Sequence, residues 1–130
     1  MPCVTSDMFP TIMNLLGDTN FKTNLPQDGM NILPALFGSQ TVRDKPIGFA
    51  YGANTAWVTQ THKLHTNIKD GRWNNVELFD LINDPYEEKN IAKDNPELVS
   101  QMKIALNSWI ISCNKSCGNR YHHLPVPDFE

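Results

Sequence analysis

The chain has no run of about 18 apolar residues, the minimum for a membrane-spanning helix, and its opening MPCVTSDMFP has neither the basic segment nor the continuous apolar stretch of an export signal. It also lacks a basic excess. Eleven Lys and Arg against 14 Asp and Glu leave a net charge of −3, which offers a phosphate backbone no attraction and argues against nucleic acid as a partner. No GxSxG elbow, glycine-rich phosphate loop or HExxH helix occurs, so the short signatures of serine hydrolases, nucleotide binders and zinc proteases are missing. Three cysteines are an odd count: at most one disulfide forms, one thiol is left over, and the redox compartment stays open.

What is present describes a folded chain. Apolar residues make up 40% and charged residues 19%, and 130 residues suffice for one domain or a piece of a larger one. In TSDMFPTIMNLLG, Met8, Ile12, Leu15 and Leu16 share one helical face, Asp7 suits the positive end and Gly17 supplies a stop, predicting a helix over Ser6 to Leu16. Pro10 near its start predicts a 3₁₀ first turn or a kink. MNILPALFG predicts one short helical turn ended by Gly38. Three stretches rich in β-formers follow, Ile47 to Tyr51, Ala56 to Thr66 and Val76 to Leu81, separated by Gly, Asn and Asp clusters; they predict three or four antiparallel strands. Asn95 as cap, Pro96 and Glu97 then open a helix of about four to five turns, with Leu98, Met102, Ala105, Leu106, Trp109 and Cys113 at spacings of three and four. The fold class is therefore α+β, with a long C-terminal helix laid on a small antiparallel sheet. The tail after Gly118, NRYHHLPVPDFE, reads as extended.

Three groups of residues carry candidate chemistry. ELFDLINDPYEEKN, Glu77 to Asn90, holds five acidic side chains, but on a strand they alternate between faces, NDP forms a turn, and the EF-hand spacing is absent; the structural reading prevails over a metal site. His62 and His65 lie three apart on a strand and point to opposite faces, poor geometry for one metal. Cys113 and Cys117 with His122 and His123 resemble a zinc set only loosely. The same two cysteines could bridge if the helix frays between them, and on an intact helix they stand too far apart. NKS at Asn114 is an acceptor sequon that matters only in a secreted eukaryotic protein.

The order of motifs nevertheless resembles a known family. TSDMFPTIMNLLG, QDGMNILPALFG, a strand with THKLH, ELFDLINDPYEEKNIA and a terminal helix with LNSW are similar, in register from Ser6 to Trp109, to the C-terminal portion of type I sulfatases of the alkaline phosphatase superfamily. Departures occur at Ala53, where Gly is usual, at Thr55, where a basic residue is common, at His62, where an aromatic is common, and at Arg120, where an acid is expected.

The resemblance implies a division into residues 1–45, the end of a large α/β domain and a linker, residues 46–117, the C-terminal subdomain, and residues 118–130, an extended tail. In such enzymes a formylglycine made from the Cys or Ser of a CxPSR motif, beside a calcium ion, attacks the sulfate ester. None of Cys3, Cys113 and Cys117 has proline and arginine at the required offsets, so this chain is expected to carry no catalytic or metal-binding residue of its own. The expectation is a fragment that helps close the substrate cleft of a full-length sulfuric ester hydrolase, with Tyr51, Asn54 and Thr55 nearest a substrate. The implied partners are a sulfated small molecule or glycan and a missing N-terminal sulfatase domain, and the implied setting of the parent enzyme is periplasmic, secreted or lysosomal. Two other readings are a phosphate or phosphonate ester hydrolase tail of the same superfamily and a non-catalytic binding or accessory module.

Overall fold

The computed structural model describes residues 1–18, 20–22, 24, 26–117 and 124–127. Four strands, β1 (Ile47–Tyr51), β2 (Asn54–Val58), β3 (His62–Lys69) and β4 (Arg72–Asp80), form an antiparallel meander in the order β1-β2-β3-β4. The single strand expected from Ala56 to Thr66 is two, because the chain turns at Thr59–Thr61 without Gly, Pro, Asn or Asp. Thr59 makes that turn. Its hydroxyl accepts from the His62 amide at 3.0 Å and its own amide donates to the His62 carbonyl at 2.9 Å, a local side-chain bond that substitutes for the usual turn residues. The β3–β4 connection is an Asp70–Gly71 pair with φ of 53° and 72°, the mirror-type turn that matches strand twist.

A bulge in β4 sets which side chains face the core. His65 lies opposite Glu77 while Asn67 lies opposite Asn74, so three steps on β4 match two on β3. Asn75 takes the strained position, with φ of 48°. Trp73 and Val76, an odd number of residues apart, thereby both reach the core.

Helix α3 (Pro96–Cys117, 22 residues, about six turns) covers that face. Leu64, Leu78, Leu106 and Ile110 have no exposed surface at all, and burial of each such side chain stabilises by about 1.5–3 kcal/mol. The helix is longer than expected and its buried face is turned slightly, with Val99, Asn107 and Ile110 buried and Ala105 and Cys113 half-buried. Asn95 does not cap with its side chain; its amide donates to the Ile91 carbonyl at 3.0 Å instead. The helix runs unbroken through Cys117, and Cys113 keeps a free thiol. Burial, with Asp28 and Cys117 nearby, pushes the Cys113 thiol up from its ordinary value. Near the helix middle the Trp109 indole lies directly on Gly48 of β1, where a Cβ would come within 2.4 Å of the ring.

Ahead of the sheet, a buried ion pair draws together Pro2, Val4, Met30 and Lys45. A 3₁₀ turn over Thr5–Asp7 leads into α1 (Met8–Leu15), in agreement with the position of Pro10, and α2 (Leu33–Leu36) follows. Asp7, with no exposed surface, receives Arg43 at 2.8 and 2.9 Å and the amides of Val4 and Met30 at 2.9 Å. Arg43 also donates to the carbonyls of Lys45 and Pro2. One side chain thus gathers the start of the chain, the connector and the lead into β1. Burial alone would raise the Asp7 carboxyl; the hydrogen bonds from Arg43, Met30 and Val4 and the guanidinium charge outweigh it and hold the carboxyl below the ordinary value.

Two outcomes follow for stability. Asp7→Asn leaves a buried guanidinium without its countercharge and is expected to lower denaturant stability by about 3–5 kcal/mol. Because the folded value of Asp7 is depressed, its contribution is complete above the unfolded value of about 3.9 and drains away as pH falls through the lower folded value. A pH series of denaturant midpoints should show this acid loss in the native sequence and a smaller one in Asp7→Asn. Gly48→Ala is expected to cost about 1–3 kcal/mol by displacing Trp109, measured by thermal unfolding, and to cost clearly less when Trp109→Leu is already present.

Candidate functional site

The sheet has one face under α3 and one turned away from it, and strand alternation decides which residues belong to each. On the outer face the cross-strand rows are Phe49, Ala56, His65, Glu77 and then Tyr51, Asn54, Asn67, Asn74. Tyr51, 87% exposed, is the direct partner of exposed Asn54 across the Gly52–Ala53 turn. Thr55 is not with them. It lies on the helix side, 2% exposed, with its hydroxyl donating to the Thr66 carbonyl at 3.3 Å. Of the three residues singled out from the sequence, the structure brings Tyr51 and Asn54 together and sends Thr55 to the opposite face.

The same outer face holds a histidine–carboxylate hydrogen bond and a lysine–carboxylate ion pair that the sequence did not single out. His65 Nδ1 and Glu77 Oε2 stand 2.9 Å apart, and Lys63 Nζ donates to both Glu87 oxygens at 2.6 and 2.9 Å. The only signal for them is cross-strand register, which places His65 opposite Glu77 and requires the bulge to be known. His62 faces the other way and pairs with the Thr61 hydroxyl at 2.8 Å. His122 and His123, the remaining members of the possible zinc set, lie outside the described residues.

The two aspartates of the acidic segment are engaged by backbone amides. Asp80 accepts from the amides of Ile82 and Asn83 and from the Asn83 side chain at 2.9, 3.1 and 2.7 Å, and these bonds, the Asn83 side chain first, hold its carboxyl below the ordinary value. Asp84 accepts from the amides of Glu88 and Lys89. Asn90 then binds along the β4 edge, its carbonyl oxygen accepting from Leu78 and Ala92 amides. The segment is a turn and a clamp that carries the chain from β4 to α3.

Among the described residues no group of three or more His, Cys, Asp or Glu converges as a metal site would require. With Asp7 held by Arg43, Asp80 and Asp84 by backbone, Glu77 by His65 and Glu87 by Lys63, this donor set does not fit calcium, and the three cysteines do not fit the formylglycine motif. No helix of the described residues is long and apolar enough to cross a membrane.

No family model matches the chain, and no curated protein matches it closely enough to count as a relative. Solved structures do match. Ps i-CgsB, also solved with k-i-k-neocarrahexaose bound, overlays 91% of this chain with a TM-score of 0.66 at 23% identity, over 26% of its own length. The protein yidJ of Bacteroides fragilis, a provisionally assigned sulfatase, overlays 83% with a TM-score of 0.61 at 23% identity, over 24% of its length. BT4656, solved with its substrate D-glucosamine-2-N,6-O-disulfate, overlays 88% with a TM-score of 0.57 at 19% identity, over 25% of its length. The chain spans about a quarter of these structures. The four-stranded antiparallel sheet with its long C-terminal helix is therefore consistent with the fold of a sulfatase C-terminal segment.

Proposed function

We propose that the chain is the C-terminal portion of a sulfatase, a sulfuric ester hydrolase, and that it forms one wall of the substrate cleft while the reacting groups come from outside these 130 residues. The observation that carries this reading is the overlay of 83–91% of the chain on a quarter of structures that include a sulfatase and a complex with a disulfated sugar. The order of the sequence motifs from Ser6 to Trp109 supports it.

The surface of α1 and α2 fits the same reading. Met8, Ile12, Leu15 and Leu16 of the first helix and its end, with Leu36 and Phe37 of the second, are each 47% or more exposed. A stripe of that size is unusual on a free-standing domain and suits docking against a larger body. The calcium ion and the formylglycine would belong to that body and would supply there the Lewis acid and the nucleophile of ester hydrolysis. Tyr51 and Asn54, at the exposed β1–β2 turn, are the groups of this chain placed to meet a sulfate ester.

The purified 130-residue chain is expected to release no nitrophenol from an aryl sulfate above a mock preparation; turnover would contradict the division of labour. In the full-length polypeptide, Tyr51→Ala is expected to raise KM and alter selectivity among sulfate esters while kcat on a minimal aryl sulfate changes little. Unchanged KM and selectivity would remove Tyr51 from the cleft wall.

A further inference from the structure

Past the end of α3, residues 124–127 of the tail lie back against the helix, and Asn114 holds them by two bonds. Its side-chain amide donates to the Leu124 carbonyl at 3.0 Å, and its side-chain oxygen accepts from the Leu124 amide at 2.8 Å. Leu124 packs on the core cluster, whose helix members Val99, Met102, Leu106 and Ile110 all precede Asn114, and Pro127 is buried as well. An extended segment advances about 3.1 Å per residue, so Pro127 stands about 9 Å past Leu124. The direction back along α3 offers that length of covered surface, whereas α3 ends at Cys117, only about 4.5 Å past Asn114. Seven residues before Asn114, on the same helical stripe, stands Asn107, 2% exposed, whose buried side-chain oxygen has no hydrogen-bond partner among the described residues. Such an orphan is costly until a donor reaches it. Four residues earlier is Lys103, its ammonium 5.7 Å from the centre of the Trp73 ring and in no ion pair among the described residues. Burial pushes that ammonium down from its ordinary value.

We propose that Asn107 and Lys103 continue the Asn114 clamp, as a second rung and an ionic stop that seat Asp128, Phe129 and Glu130 of this same chain along α3. These three residues follow Pro127 in the sequence and lie outside the described ones. The spacing carries the assignment. Asn107 is about 10.5 Å from Asn114 along the helix axis, and Asp128 is about 12 Å from Leu124 along an extended chain. Pro127 has no N–H to give, so the Asp128 amide is the next donor after Leu124 that can meet an asparagine oxygen in the way Leu124 meets Asn114. Lys103 lies about 6 Å beyond Asn107, and two more extended residues, about 6 Å, bring Glu130 to it. There a carboxylate meets a half-buried ammonium that has no other anion, a charge-assisted contact. Attachment at Leu124 favours this occupant over a peptide from another molecule, because a short tether holds the segment at an effective concentration of about millimolar. The result is a strap that satisfies the stranded amide and holds α3 from the side away from the Trp109 contact with Gly48.

The strap does not depend on the sulfatase reading, and the 130-residue chain tests it without any turnover. In the ¹³C,¹⁵N-labelled chain, nuclear Overhauser contacts are expected from the Asp128 amide to the Asn107 side chain and from the Glu130 methylenes to those of Lys103. Release of Glu130 by carboxypeptidase Y gives a second readout. Lys103→Gln and Asn107→Leu should each speed that release about fivefold. Lys103→Arg, which keeps the charge, should leave it within about twofold, and Lys93→Gln, in the exposed turn before α3, should not change it. An Asn107→Leu chain that is more heat-stable but releases Glu130 at the native rate would overturn the strap, since Asn107 would then be only an unsatisfied interior amide. Contacts of residues 128–130 with another surface, or contacts seen only between differently labelled copies, would overturn it too. If Asn107→Leu does not fold, the two Lys103 variants decide the matter, and equal release from Gln and Arg rejects the proposal.

Discussion

The burial of one face of the meander beneath α3 fixes where nearly every other side chain of residues 46–117 points. With Leu64 and Leu78 from the sheet and Leu106 and Ile110 from the helix fully withdrawn from water, slipping a strand by one residue would expose the whole apolar set, so the register is strongly specified. Gly48 lets the helix come close, because only a residue without a side chain fits beneath the Trp109 indole. The outer face is the complement of that constraint. Tyr51, Asn54, His65 and Asn67 face outward because their neighbours in sequence face α3.

Residues 1–45 follow another logic. They present exposed apolar residues along α1 and α2 and are tied to the sheet by a buried, bidentate carboxylate–guanidinium pair whose remaining lone pairs are taken by backbone amides. A fully satisfied pair of this kind contributes to specificity of arrangement more than to net stability. It orients a segment whose apolar side remains available for another surface. The exposed apolar side of α1 and α2 fits the proposed role, in which the first segment is a docking element.

Much of this was legible in the sequence where the signals are local. The Asn-Pro-Glu opening and three-four spacing announced α3, Pro10 announced the 3₁₀ start, and β-formers marked the strands. What escaped depends on pairing at a distance. Arg43 lies 36 residues from Asp7, and nothing near either residue announces the other. The turn at Thr59–Thr61 rests on one hydroxyl, and the bulge at Asn75 changes parity, so the core role of Val76 and the meeting of His65 with Glu77 cannot be read from alternation. Thr55 shows the same limit in the candidate site: adjacent to Asn54 in sequence, it lies on the opposite side of the sheet.

The acidic run from Glu77 to Asn90 teaches a related lesson about counting charges. Its aspartates accept from backbone amides, Glu77 pairs with His65 and Glu87 with Lys63, and the run steers the chain into α3. The central claim is that this fold serves as one wall of a sulfatase whose reacting groups lie elsewhere in the polypeptide. Sequencing the full-length transcript tests it most directly. The account predicts an in-frame CxPSR motif upstream of Met1; an in-frame stop codon before Met1 with no such motif in the same transcript would contradict it.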